Sequence, residues 1–358
     1  MPHLKQLSRQ VIVLTGASSG IGLATARMAA EQGAKLILVA RNRDALETLA
    51  EELRAKGTEA QALAGDVADP ATHERAAALA LQHFGRIDSW VNDAGAFIYG
   101  RVDETPIEDQ KRLFDVVYWG TLHGSLVALR HLKDRGGALV NIGSVLSERA
   151  IALQGPYSAA KFAVKAITDT LRMEARMDGS RASITLIKPG PIDTPYMEHA
   201  RNLTGAPGTR NPPPSYHPRV VARAILHACT HPVRDLTVGG GGAAVAWMGK
   251  LFPALTDMAM VALARPTQES DDPGRATRRD NLYQPKEDLA ETSSLSGPAP
   301  RRTSLLLEMQ MNPLAVATAG VAGAAALLLF QQSRRGSSHG SGRGWRRTAP
   351  RPTGMAAE

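Results

Sequence analysis

Residues 11–32 constrain the fold of this chain more than any other stretch. Val11-Ile-Val-Leu14 is a short apolar run of strand type, Thr15-Gly-Ala-Ser-Ser-Gly20-Ile-Gly22 is punctuated by glycine, and Ile21 to Gln32 has the alanine-rich apolar periodicity of a helix. Strand, turn and helix follow one another without a spacer. Gly16 permits the tight turn, Gly20 lets backbone approach a pyrophosphate, and Gly22 allows close packing, while the helix N-terminus offers N–H groups to an anion. The spacing is Gly-x-x-x-Gly-x-Gly, different from the commoner Gly-x-Gly-x-x-Gly dinucleotide fingerprint.

A second constellation lies further along. Tyr157-Ser-Ala-Ala-Lys161 follows Ser144 by thirteen positions. A helix over 156–172 sets Tyr157 and Lys161 one turn apart on one face, where an ammonium favours the phenolate. That matters because an unperturbed phenol, with a pKa of about 10, is a poor acid or base near neutrality. A tyrosine so assisted can protonate a carbonyl oxygen as hydride arrives, or deprotonate an alcohol as hydride leaves. Ser144 is placed to hydrogen-bond the same substrate oxygen. By itself a Tyr-x-x-x-Lys pair is a weak signal, because surface helices produce it by chance.

Taken together, the glycine turn and the Tyr-x-x-x-Lys pair resemble the short-chain dehydrogenase/reductase family, from about residue 8 to about residue 240. Other segments match in order: the strand Leu36–Ala40, Gly65-Asp66-Val67 beside the adenine, and Ile87 to Gly95 with Asn92, Ala94 and Gly95. The strand Leu139–Ser144 follows, then Ile184 to Thr194 with its Pro189-Gly190 turn beside the nicotinamide. The resemblance implies a doubly wound parallel sheet, a Rossmann fold of three α/β/α layers. It also implies a cofactor site made by Gly16, Ser18, Ser19, Gly20, Ile21, Gly22, Asp66, Val67, Asn92, Ala94, Gly95, Tyr157, Lys161, Pro189, Gly190, Ile192 and Thr194. Ser144, Tyr157 and Lys161 are the catalytic candidates it implies, with Ser144, Tyr157 and Tyr196 facing substrate.

Charge at the end of the second strand selects the cofactor. An acid there binds the ribose hydroxyls of NAD, whereas arginine accommodates the extra phosphate of NADP. This chain has Ala40-Arg41-Asn42-Arg43, so NADP(H) is expected, with Arg41 the first candidate and Arg43 the second. Two positions depart from the family pattern. Asp93 stands where the second asparagine of an Asn-Asn-Ala-Gly element is usual, and Val117 where the family places a catalytic asparagine that extends a proton relay from the lysine. Valine lacks the side-chain hydrogen bonds that would stabilise a local kink.

After the Pro-Gly turn, Thr194 to Pro214 is rich in Pro and Gly and reads as a flexible lid, with Tyr196, Met197 and Leu203 available as an apolar wall. His199 is a weaker acid/base candidate, since the tyrosine already fills that role.

The 358 residues, 43% hydrophobic, can bury a full core, and residues 1–264 suffice for the Rossmann unit. One cysteine, Cys229, excludes an intrachain disulfide, and no Cys/His cluster suggests a metal. The first residues lack the apolar core of a cleaved signal peptide. The net charge of +8 is concentrated at the end, where residues 301–358 hold 8 Arg against 2 Glu, without the interleaved aromatics of a nucleic-acid binder. Residues 265–312 read as a disordered polar linker, 313–331 as an apolar anchoring helix, and 332–358 as a basic disordered tail. Within that helix Leu314 to Phe330 has no charge and sits at the lower edge of a spanning length, roughly 17–25 residues. Ala243 to Ala264 reads as an interfacial segment or the rim of a lipophilic entrance, because Lys250, Pro253 and Asp257 interrupt it.

The expectation is therefore a cytoplasmic, membrane-associated NADP(H)-dependent oxidoreductase. It interconverts a carbonyl and an alcohol on an apolar or lipid-like substrate, and helices near 106–131 and 156–175 are available for a homo-oligomer. The alternative is a weakly catalytic, membrane-tethered NADP(H)-binding scaffold or redox sensor.

Overall fold

A computed structural model describes residues 3–274, 280–286, 289–314 and 318. Its strands are β1 (Val11–Thr15), β2 (Lys35–Ala40), β3 (Ala60–Ala64), β4 (Ser89–Asn92), β5 (Ile98–Tyr99), β6 (Gly137–Ile142), β7 (Ala182–Pro189), β8 (Arg201–Asn202), β9 (Gly208–Thr209), β10 (Asp235–Val238) and β11 (Glu269–Ser270). The α-helices are α1 (Gly20–Glu31), α2 (Arg43–Ala55), α3 (Pro70–Phe84), α4 (Ile107–Phe114), α5 (Gly120–Leu132), α6 (Gly155–Met177), α7 (Tyr196–His199), α8 (Pro218–Thr230), α9 (Gly240–Leu251), α10 (Pro253–Gln268) and α11 (Leu305–Met311).

Seven strands form one sheet in the order β10-β7-β6-β4-β1-β2-β3. Every pairing in it is parallel, with Ile12 opposite both Leu36 and Ser89. Parallel strands are covered on both faces and so read as continuous apolar runs. Here Ile12, Leu14, Leu36 and Leu38 enter one core with residues of α1, α2 and α8, whereas Val11, Val13, Ile37 and Val39 enter the other with residues of α3, α5 and α6. Each such aliphatic side chain contributes about 1.5–3 kcal/mol by leaving water. The result is the three-layer α/β/α Rossmann fold.

Local signals fix the helix ends. Asn42 accepts a hydrogen bond from Ala45 N at 3.1 Å to cap α2, and Asp69 does the same for Ala71 N at 3.0 Å ahead of Pro70 in α3. Gly85, at φ +72°, ends α3 in the left-handed conformation. Strand order reverses at β1, which has β2 on one side and β4 on the other. A crevice opens beyond the carboxyl ends of strands at such a switch point, and here those ends are Thr15 and Asn92.

Three parts depart from the sequence reading. Thr194 to Pro214 holds α7 and two short strands, with β8 parallel to β5 and β9 antiparallel to β11. The expectation of membrane association is overturned. Among the described residues, no helix is long and apolar enough to cross a membrane. Ala243 to Ala264 is split at Phe252–Pro253 into α9 and α10, and its exposed charges pair with neighbouring residues: Lys250 with Glu148 at 3.3 Å, and Asp257 with Arg149. Apart from Leu314 and Thr318, the segment 314–330 lies outside the described residues, as does the tail 332–358.

Residues 1–311 form one compact unit. Beyond Ala264 the described residues bind the domain through contacts that composition does not signal. Gln310 bonds Thr237 N and O at 3.0 and 2.9 Å, Ser304 Oγ accepts from Gly239 N at 3.1 Å, and Arg223 pairs with Glu308 at 2.7 Å.

Candidate active site

The glycine turn is held against the loop after β4. Thr15 Oγ1 accepts from Asp93 N at 3.1 Å and from Ala94 N at 3.2 Å, joining the ends of β1 and β4. Gly16 has φ +76°, and a Cβ there would lie 2.8 Å from Ala94 N. A Cβ on Gly22 would lie 2.0 Å from Gly16 O, so this position serves the packing of turn on helix.

Ser144 follows β6, and its hydroxyl accepts from Leu146 N at 3.0 Å. Tyr157 lies in the first turn of α6, opened by Pro156, so its ring stands beside the strand ends. Phe97 packs edge-on against it at 4.6 Å between centroids, and Tyr196 lies at 5.9 Å. The Lys161 ammonium sits 5.7 Å from the Tyr157 ring centroid and donates to Ile142 O at 2.7 Å. The structure thus brings Ser144, Tyr157, Lys161 and Tyr196 together.

Electrostatics here differ from the simple lysine-assisted picture. Burial pushes the Tyr157 phenol up to about 12; hydrogen bonds with Tyr196 and Ser144 pull it back, and Asp93 adds to the rise. Burial also pushes Lys161 down to about 8, opposed by Asp93. The Asp93 carboxyl is itself driven up to about 7 by burial, against the pull of Lys161 and a hydrogen bond from Gly22 N–H. Desolvation therefore outweighs the hydrogen bonds with Tyr196 and Ser144 at the phenol.

These groups line a cavity of about 500 Å³. Of the expected cofactor residues, Gly16, Ser18, Ser19, Gly20, Ile21, Arg41, Val67, Ala94, Gly95, Tyr157, Lys161, Pro189, Gly190, Ile192 and Thr194 lie on its wall; Gly22, Arg43, Asp66 and Asn92 do not. Asp66 instead pairs with Arg112. Asn92 is a buried cross-brace, donating to Asn141 Oδ1 at 2.9 Å and accepting from Trp90 Nε1 at 2.9 Å. Arg43 is exposed at the start of α2. His199 is buried on the cavity wall, not exposed on a loop.

Sequence reasoning passed over several wall residues. Asn42 was readable as a helix cap next to Arg41. Phe97, Tyr99 and Lys286 carry no motif and meet only through the fold, whereas Met260 and Leu263 belong to the segment 243–264 that reads as an interfacial segment or the rim of a lipophilic entrance. At the departure from the family pattern, residues 115–119 form a π-helical turn even with Val117, whose carbonyl accepts from Thr121 Oγ1 at 2.8 Å. The wide turn forms without an asparagine side chain.

Comparison with known proteins agrees with this geometry. A model of the short chain dehydrogenase family matches residues 10–204. An uncharacterised oxidoreductase of Bacillus subtilis, YxnA, is 43% identical over 282 residues, covering 78% of this chain and 79% of that protein. The putative oxidoreductase SadH of Mycobacterium tuberculosis is 36% identical over 200 residues, 56% of this chain and 71% of its own. Among solved structures, an alcohol dehydrogenase from Thermococcus sibiricus, complexed with 5-hydroxy-NADP, superposes with a TM-score of 0.57 at 29% identity, covering 64% of this chain and 95% of that one. The chain belongs to the short-chain dehydrogenase/reductase family. Its activity is that of an oxidoreductase dependent on a nicotinamide dinucleotide.

Proposed function

We propose that this enzyme interconverts a carbonyl and an alcohol on an apolar, lipid-like substrate, with NADP(H) as its cofactor. The observation that carries the reading is one continuous cavity bounded at one end by Arg41 and at the other by Ser144, Tyr157 and Lys161. The residues fit a dinucleotide: Gly16 and Gly20 hold positive φ where the turn meets Ala94 and Thr194, leaving backbone along the cavity where side chains would stand. When bound, the cofactor supplies or accepts the hydride.

The chain's residues then have distinct tasks. Ser144 and Tyr157 hold the substrate oxygen, and the Tyr157 hydroxyl gives it a proton in reduction or takes one in oxidation. Lys161, anchored on Ile142 O, sets a positive charge beside the phenol. Arg41 holds the phosphate that distinguishes NADP from NAD. Phe97, Tyr99, Val145, Ile151, Met260 and Leu263 give the substrate end an apolar lining.

A panel of ketones, aldehydes and lipid-like alcohols, assayed with NADPH and NADP⁺, tests this. Tyr157→Phe is expected to lower turnover by about 10²–10⁴-fold, the usual worth of a positioned acid or base, while NADPH affinity stays near wild type. Full turnover in that variant defeats the assignment. Tight NADPH binding with no turnover on any carbonyl would favour a binding scaffold.

A further inference from the structure

One wall of the cavity comes from the polar segment after α10. In their described parts, residues 280–295 run as a strap across the carboxyl edge of the sheet, fixed at successive points. Tyr283 donates to Asp109 at 2.8 Å and Asn281 N to His199 O at 3.0 Å. Arg41 donates to the carbonyls of Asn281 and Leu282, and Asn42 Nδ2 to Lys286 O at 2.9 Å. Leu289 N donates to Ser18 O at 2.7 Å, and Gly20 N to Ala290 O at 2.9 Å. Glu291 then pairs with Arg27 at 3.2 Å and with Arg219 at 3.0 Å.

The strap therefore touches the glycine turn and the end of β2, the two places where the phosphate-bearing part of a dinucleotide is read. Asn281, Pro285 and Lys286 line the same space as Gly16, Ser19 and Ile21. Lys286 is only 9% exposed, and its ammonium donates to Glu198 O at 2.8 Å.

We propose that this strap is part of the cofactor site: it roofs the dinucleotide, brings Lys286 to its phosphates, and lets cofactor leave only when the Glu291 tether yields. The inference rests on reading the cavity as an NADP(H) site. Glu291 lies outside the cavity lining, so the tether is separable from direct contact.

NADPH itself is the probe, followed by fluorescence titration and by stopped-flow displacement with NADP⁺, neither of which depends on turnover. Lys286→Met is expected to raise the NADPH Kd about tenfold, the worth of one hydrogen bond to a charged group, and Lys286→Arg to bring it back near wild type. Glu291→Gln is expected to speed NADPH release several-fold in a chain with unchanged secondary structure. A wild-type Kd in Lys286→Met overturns the proposal. So does slower release or tighter binding in Glu291→Gln, which would make the strap a plug. A chain that binds NADPH in this strap-dependent way yet turns over no carbonyl would defeat the carbonyl–alcohol reading alone.

Discussion

The two ends of the cavity are built by different means. At the reacting end, Ser144 follows β6 and Tyr157 and Lys161 lie one turn apart on α6, so each group stands on an element of the Rossmann unit. At the phosphate end, the glycine turn and Arg41 are met by a strap from residues 280–295, more than two hundred positions away in sequence. The first end is rigid because its supports are buried strand ends and a 23-residue helix. The second is held by hydrogen bonds and part-buried ion pairs, with neither a strand of the main sheet nor a long helix behind them. A dinucleotide enzyme gains from that division: reacting groups stay fixed while the roof over an exchangeable cofactor is able to move.

The largest expected effect tests the rigid end. With Tyr157 pushed up to about 12, the phenol is protonated throughout the neutral range. Carbonyl reduction uses a proton the phenol already carries, so Tyr157 imposes no loss between pH 6 and 9. Alcohol oxidation needs the phenolate, whose fraction below its pKa rises tenfold for each unit of pH. Oxidation kcat/KM is therefore expected to climb about a hundredfold from pH 7 to pH 9, following general-base behaviour. A flat oxidation profile across that range would show that bound cofactor resets the phenol, and the comparison between the two ends would lose its electrostatic half.

The same division explains what was legible in the sequence. Val11–Leu14, the glycine turn and α1 are adjacent in the chain, and their periodicity and glycine spacing are local consequences of how they pack. Tyr157 and Lys161 are one helical turn apart, so their partnership is local too. Asn92 and Asp66 were read as cofactor contacts, yet their side chains are spent on Asn141, Trp90 and Arg112, partners that only tertiary structure brings near. The strap was unreadable for the same reason. Its polar composition lacks apolar periodicity, and its order comes from Arg27, Arg41, Asn42 and Arg219, each on a distant element. The segment 243–264 reads as an interfacial segment or the rim of a lipophilic entrance, and hydropathy alone does not show which; in the fold Val245, Met260 and Leu263 line the cavity while Lys250 and Asp257 pair with Glu148 and Arg149.

At the phosphate end, Arg41 and Arg43 sharpen the contrast. Arg41 lines the cavity and donates to the strap, whereas Arg43 is exposed at the start of α2. Arg41→Ala is expected to raise the NADPH Kd about tenfold, as loss of a charge-assisted phosphate contact does, with a smaller change for NADH measured in the same titration. Arg43→Ala should leave both within about twofold, the usual range for an exposed charge. Equal losses for NADPH and NADH in Arg41→Ala would mean that its main task is to hold the strap.

The smallest effect concerns Asp93, where the two ends meet. Its carboxyl is raised to about 7 by burial, so it is substantially ionised above neutrality, and in that form it raises both Tyr157 and Lys161. Asp93→Asn removes that charge while keeping the shape. The phenol then loses a repulsive neighbour and its pKa falls; the ammonium loses an attractive one and its pKa falls too. The rising limb of the oxidation profile is expected to move to lower pH, and only modestly, since Asp93 is the weakest of the influences on the Tyr157 phenol, after burial and the hydrogen bonds with Tyr196 and Ser144. NADPH affinity, measured at the same pH, supplies the control for the phosphate end: Asp93 contacts Gly22 N–H in the turn, so a change in affinity without a shift in the profile would assign this carboxyl to the turn and not to the acid/base pair.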